Sequence, residues 1–162
     1  MKRIANTKYW IMIITIVLVI SSLYIVIQQK NSSQSLAIVE DYLKEQGFKL
    51  LSYEGQTEAY QLTIEKIQNE PYDVYWDGHL NNPDSYMGKT VKVEKFAVEN
   101  HPLNEWTCCG DVKTEEMVYT YVFVIDDKVV GGIAFPDVLD ELGIKGGFWS
   151  SLDGEIQTTR SY

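Results

Sequence analysis

Hydrophobic and polar positions divide this chain into segments of different period. Trp10 to Ile27 (WIMIITIVLVISSLYIVI) is an apolar run with no charge, broken only by the small polar residues Thr15, Ser21 and Ser22. As a helix it would span about 27 Å, close to the hydrocarbon thickness of a bilayer. A buried core helix would carry a polar stripe, and this run has none. Tyr9 and Trp10 stand at one end and Tyr24 near the other, where amphipathic rings favour a membrane interface. The pattern predicts a transmembrane helix over 10–27, with residues 28–35 (QQKNSSQS) as a polar tether. A lipoprotein would need a Cys just after the run, and none is there. A cleaved signal peptide is the rival, because Ser35-Leu36-Ala37 offers small residues for cleavage. That site lies ten residues past Ile27, and the run is longer than a usual signal core.

Beyond residue 35 the period changes twice. Leu36, Val39, Tyr42 and Leu43 recur at helical spacing, with Glu40, Asp41, Lys44 and Glu45 between them. With Ser35 as N-cap and Gly47 as a left-handed stop, they predict an amphipathic helix over 36–46. Phe48–Tyr53 reads as a strand ending at Glu54-Gly55. Residues 57–70 fit either a strand through Tyr60, Leu62 and Ile64 or a helix capped by Thr63; Pro71 beyond its end favours the helix. Val91 and Val93 alternate and Phe96 and Val98 continue on a shifted phase, which predicts a bulge near Glu94-Lys95. Met117–Ile125 (MVYTYVFVI) is rich in β-branched and aromatic residues and is the strongest strand signal. Asp126-Asp127-Lys128 turns it into Val129–Phe135. A short helix over Asp137–Leu142, stopped at Gly143, follows. The chain closes with Phe148–Leu152, an Asp153-Gly154 turn and Glu155–Thr159. The predicted class is α+β: an N-terminal transmembrane helix, then one helix packed on a largely antiparallel β-sheet, the whole of 36–162 forming a single domain.

Charge sharpens the placement. The first thirty residues hold Lys2, Arg3, Lys8 and Lys30 and no acid, whereas residues 31–162 carry 10 Lys and Arg against 23 Asp and Glu. The positive-inside bias puts residues 1–9 in the cytoplasm as a basic tail, and the domain outside a single-pass cell-membrane protein. So acidic a domain repels phosphate backbones, which excludes nucleic acid as a partner. The same repulsion disfavours anionic lipid and anionic wall polymer.

Candidate chemistry is sparse. Cys108 and Cys109 are the only cysteines, and adjacent cysteines close on each other only through a strained ring. They read as packed thiols or a bridge between copies, with a vicinal redox switch as the sharper alternative. His101 lies seven residues before Cys108, but His101, Cys108 and Cys109 lack a fourth ligand and match no zinc spacing. His79 sits in a polar Asp77-Gly78-His79 turn. Serine-nucleophile, calcium-loop and phosphate-loop patterns are missing, so no cofactor or metal is expected. Tyr72, Tyr75 and Trp76 could stack on a sugar or anchor a protein, although core packing explains them too. Asn100–Val112 is longer than an ordinary hairpin loop and collects His101, Trp106, Cys108 and Cys109, which makes it a candidate partner-contact loop. The competing reading has Leu103 and Trp106 plugging one end of the core.

Several stretches resemble a family of small membrane-anchored exported proteins of Gram-positive bacteria with a domain of unknown function. They are Tyr86-Met87-Gly88-Lys89-Thr90, Phe96–Leu103 (FAVENHPL), Gly131-Gly132 with Pro136, and Ser151-Leu152-Asp153-Gly154. The resemblance implies a membrane-tethered or secreted bacterial protein and carries over no catalytic residue. Leu36–Gly47 and the strand after it are also similar to the opening of PepSY-type domains, which are helix-on-sheet modules. The expected function is a membrane-anchored extracytoplasmic binding or accessory module of the cell envelope. Its partner would be an envelope protein or a wall component. A wall hydrolase with a carboxylate pair, or an inhibitor or sensor domain, is the alternative.

Overall fold

The β-rich second half folds as its alternation demands, into a six-stranded antiparallel sheet. The structure, a computed structural model, describes residues 2–76, 82–108, 112–113, 117–137, 148–155 and 157–159. Side chains are described at 9–24, 34–76, 82–107, 117–137 and 150–155. Two compact units are present, Met1–Ser35 and Leu36–Tyr162.

Helix α1 (Lys2–Glu45) has helical backbone through residues 28–35, where an irregular tether and a Ser35 cap were expected. No Gly or Pro interrupts that stretch, so nothing local ends the helix. Its large apolar side chains from Tyr9 to Tyr24 are exposed. The hydroxyls of Thr15, Ser21 and Ser22 bond back to the carbonyls of Ile11, Val17 and Val19. Among the described residues no helix is long and apolar enough to cross a membrane, which corrects the transmembrane helix expected over Trp10–Ile27. The apolar run is only part of α1, whose 44 residues carry polar and charged side chains toward both ends.

The sheet order is β1 (Lys49–Gln61), β2 (Thr90–Glu99), β5 (Val118–Ile125), β6 (Lys128–Pro136), β7 (Phe148–Ser151) and β8 (Gln157–Thr159). A separate two-stranded ladder joins β3 (Thr107–Cys108) to β4 (Val112–Lys113). Strand β1 runs past Glu54-Gly55, where an end was expected. It survives by bulging: its register against β2 slips between Leu50 and Ser52, Tyr53 and Gly55, and Gln56 and Glu58. Each slip adds one residue to β1, and Gly55 takes φ +103° at the middle one. The bulge expected at Glu94-Lys95 thus lies in the partner strand. Strand β2 itself pairs with β5 without a break from Lys92↔Val124 to Val98↔Val118.

The phase change in β2 has a different cause. In an unbroken strand Val91 and Val93 point to one face, Phe96 and Val98 to the other. Both faces are buried, each at its own end. Phe96, Val98, Val118 and Val122 pack with Val39 and Leu43 of α1. On the opposite face Val91, Val93, Phe123 and Ile133 pack with Tyr60, Leu62 and Trp76. That second core is roofed by the excursion between β1 and β2, which holds α2 (Ile64–Ile67), α3 (Tyr72–Trp76) and the 3-10 turn Pro83–Tyr86. Backbone bonds from Leu62 N–H to Lys89 O (2.9 Å) and Gly88 N–H to Leu62 O (2.8 Å) close its neck. Phe96 and Phe123 are about 1 % exposed. Each contributes roughly 1.5–3 kcal/mol by burial.

Hairpin β5–β6 turns on Asp126 and Asp127, at φ 49° and 55°, between paired Ile125 and Lys128. Both residues at positive φ make the two-residue turn that matches strand twist. The predicted helix at Asp137–Leu142 starts on a described turn residue, and 138–142 lie outside the described residues.

Candidate functional site

The predicted contact loop begins at Asn100, whose φ of 62° swings the chain out of β2. His101 then caps the 3-10 turn Pro102–Glu105: Leu103 N–H donates to Nδ1 (3.1 Å), and His101 N–H donates to Asn104 Oδ1 (2.7 Å). Because Nδ1 accepts, the ring proton sits on Nε2 and donates to Leu152 O at 3.0 Å. The ring lies 4.7 Å from Phe48 and is 3 % exposed. Burial pushes its pKa below the usual imidazole value, opposed by the Leu152 bond and by Asp153. His101 is therefore a neutral strut between this turn and the turn after β7. Leu103 is fully buried and Trp106 is partly buried against the same core. Cys108 lies at the end of β3, while Cys109 falls outside the described residues, as does His79. The loop thus turns His101, Leu103 and Trp106 toward the domain's own interior.

A different group gathers on the other face. Lys66 of α2 reaches back to Glu58 of β1, Nζ to Oε1 at 3.6 Å. Its ammonium stands 4.0 Å from the Tyr72 ring centroid and 5.0 Å from that of Tyr60. Tyr72 O–H donates to Glu58 Oε1. The Tyr60 and Tyr72 rings meet edge-on at 4.8 Å, and Trp76 Nε1–H donates to the Tyr60 hydroxyl at 3.0 Å. Beside the group opens a cavity of about 250 Å³ lined by Thr63, Glu65, Lys66, Asn69, Glu70 and Tyr72. Thr63 shapes this wall: its hydroxyl accepts from Lys66 N–H at 3.1 Å and starts α2.

The Tyr60 phenol is pushed up by burial, against the bond from Trp76. Tyr72 is pushed up by burial and then by Glu58. Both stay protonated donors at neutral pH, so neither serves as a base. Lys66 is held charged, first by its contact with the Tyr72 hydroxyl, against the effect of desolvation. Glu94 is a buried carboxylate on the α1 side of the sheet, accepting from Tyr53 O–H at 2.7 Å. Burial and that carboxylate push the Tyr53 phenol to about 12. Among the described residues no group of three or more His, Cys, Asp or Glu could hold a metal ion.

Sequence reasoning singled out Tyr72, Tyr75 and Trp76 but missed Glu58, Tyr60 and Lys66. Trp76 is buried and stacks on Phe123 at 5.7 Å, so it belongs to the core. Tyr72 is half-exposed at the cavity. Nothing local in the sequence marks Glu58 as its partner, since they meet only because the excursion folds back over β1. In comparisons with known proteins, no family model, no curated protein and no solved structure matches the chain.

Proposed function

We propose that residues 36–162 form a binding or accessory module of the cell envelope, whose contact site is the cavity beside α2 and α3. The observation that carries this reading is the cavity's lining. It combines a half-exposed ring with charged and amide side chains, and its aromatic wall is braced from behind by the Trp76–Tyr60 bond. One ring set among several placed polar groups suits ligand recognition. The envelope setting rests on charge asymmetry alone, a first thirty residues with four cations and no acid followed by a strongly acidic remainder. Protease added to intact, wall-stripped cells should digest residues 36–162, and full protection would remove that setting.

The contact site is tested by NMR on the full-length protein. The probes are Nα-acetyl amino-acid N-methylamides of cationic, anionic and neutral type, together with N-acetylglucosamine. At least one class should shift resonances of residues 63–72. Shifts confined to His101–Thr107, or none from any class, would defeat the assignment.

A further inference from the structure

We infer that Glu58, Tyr60 and Tyr72 form an alkylammonium-binding site that the chain fills with its own Lys66. The inference rests on the reading of the adjoining cavity as the contact site and names the ligand chemistry it would take. Both rings lie within the roughly 6 Å at which an aromatic face attracts a cation, at 4.0 and 5.0 Å from Lys66 Nζ. Glu58 supplies the counter-charge at 3.6 Å. Two aromatic walls and one carboxylate suit an ammonium head: the ring faces attract the cation and accept its alkyl flank, and the carboxylate balances the charge.

The receptor is held firmly, whereas its occupant is not. Tyr72 is fixed by its bond to Glu58, Tyr60 by the Trp76 indole and by edge contact with Tyr72. Lys66 sits on a four-residue helix, with its side chain about a third exposed and its carboxylate partner beyond hydrogen-bond distance. A part-exposed ion pair of this kind contributes little, so Lys66 is held mainly by the Tyr60 and Tyr72 rings, contacts that any ammonium would make. An incoming ammonium can therefore take the place of Lys66, which swings into solvent. The cavity borders the site at Lys66 and Tyr72, and its wall also includes Glu65, Asn69 and Glu70. The acidic excess of residues 31–162 draws cations and repels anions before contact. Self-occupation lowers the apparent affinity by the fraction of time the site stands empty, so removing Lys66 should raise it.

The test titrates full-length protein with n-butylammonium and, separately, with Nα-acetyl-lysine N-methylamide, with 1-butanol as the neutral isostere. Binding is read from the Tyr60 and Tyr72 ring resonances. Lys66→Met keeps the apolar stem without the charge and should bind butylammonium about tenfold more tightly than the unaltered protein. Lys66→Gln serves as a second variant should the first fail to fold. Adding Tyr72→Leu should abolish the gain, while 1-butanol should leave both rings unmoved. Binding of the lysine derivative as well would point to a lysyl side chain as the source, and binding of butylammonium alone to a free amine. Unchanged affinity in the folded Lys66 variants, or equal binding of 1-butanol, would overturn the inference. Cavity shifts from neutral or anionic probes with none from cationic ones would overturn it too, and would leave the contact site standing. Silence from every class would remove both.

Discussion

Replacing His101 by Ala should cost this protein about 3–5 kcal/mol, although His101 is the residue whose type looks most like chemistry. The magnitude follows from its bonds. Removing the ring takes away the bonds it makes with Leu103 N–H and Leu152 O, in residues 0 % and 5 % exposed. Each bond lost at a buried backbone group costs about 1–3 kcal/mol, and the lost packing against Phe48 adds to that. The group also has a pH signature. Its folded pKa lies below the unfolded value of about 6.5 because burial disfavours the imidazolium. The unfolded chain then binds the proton more readily. The stability owed to His101 is fully present above the unfolded pKa and is lost as pH falls through the folded one. Urea unfolding between pH 7.5 and 5.5, in a His79→Gln background so that one imidazole titrates, should show stability falling toward acid. The slope should not exceed about 1.4 kcal/mol per pH unit. His101→Ala should abolish this group's share. A loss below about 1 kcal/mol, or a pH profile indifferent to the substitution, would refute the strut.

Three further outcomes follow from named contacts. Gly132→Ala would drive its Cβ into Tyr121 O across the β5–β6 ladder, and should lower stability by about 2–3 kcal/mol in the same urea assay; a neutral effect would show that the ladder can shift. Trp106→Ala should cost about 2–3 kcal/mol, less than a fully buried ring, because Trp106 is partly buried against the α1-side core. An unchanged melting temperature would return it to the surface as a contact residue. Asp127→Gly should stabilise by about 0.5–1 kcal/mol, because glycine adopts φ 55° without strain in the second position of the β5–β6 turn; a lower melting temperature would contradict that turn geometry.

How much was legible in the sequence depended on the range of the interaction that decides each feature. Alternation in Val118–Ile125, the paired aspartates and the apolar run beyond them were enough to write the β5–β6 hairpin, because strand period and turn sterics act over a few residues. Leu36, Val39, Tyr42 and Leu43 were likewise legible as one helical face; Val39 and Leu43 are buried in the core, and Leu36 and Tyr42 pack against it. The shift of phase between Val93 and Phe96 was visible, yet its meaning was not. A bulge and an exchange of buried faces leave the same trace along one strand, and only the coverage of both sheet faces separates them. The length of β1 was hidden because its three slips are absorbed by pairing with β2, which no local pattern records. The membrane helix was an inference from the uncharged apolar run, the rings at its ends and the basic residues before it, and among the described residues no helix is both long and apolar enough to cross a membrane. For the sites the division is sharper. Residue type drew attention to His101 and Trp106, but burial is a property of what packs around a side chain, and it turned them inward. Glu58, Lys66 and Tyr72 are ordinary in sequence. They acquire a joint chemistry only where the chain, after leaving β1, folds back over it and brings a ring, an ammonium and a carboxylate within a few ångströms.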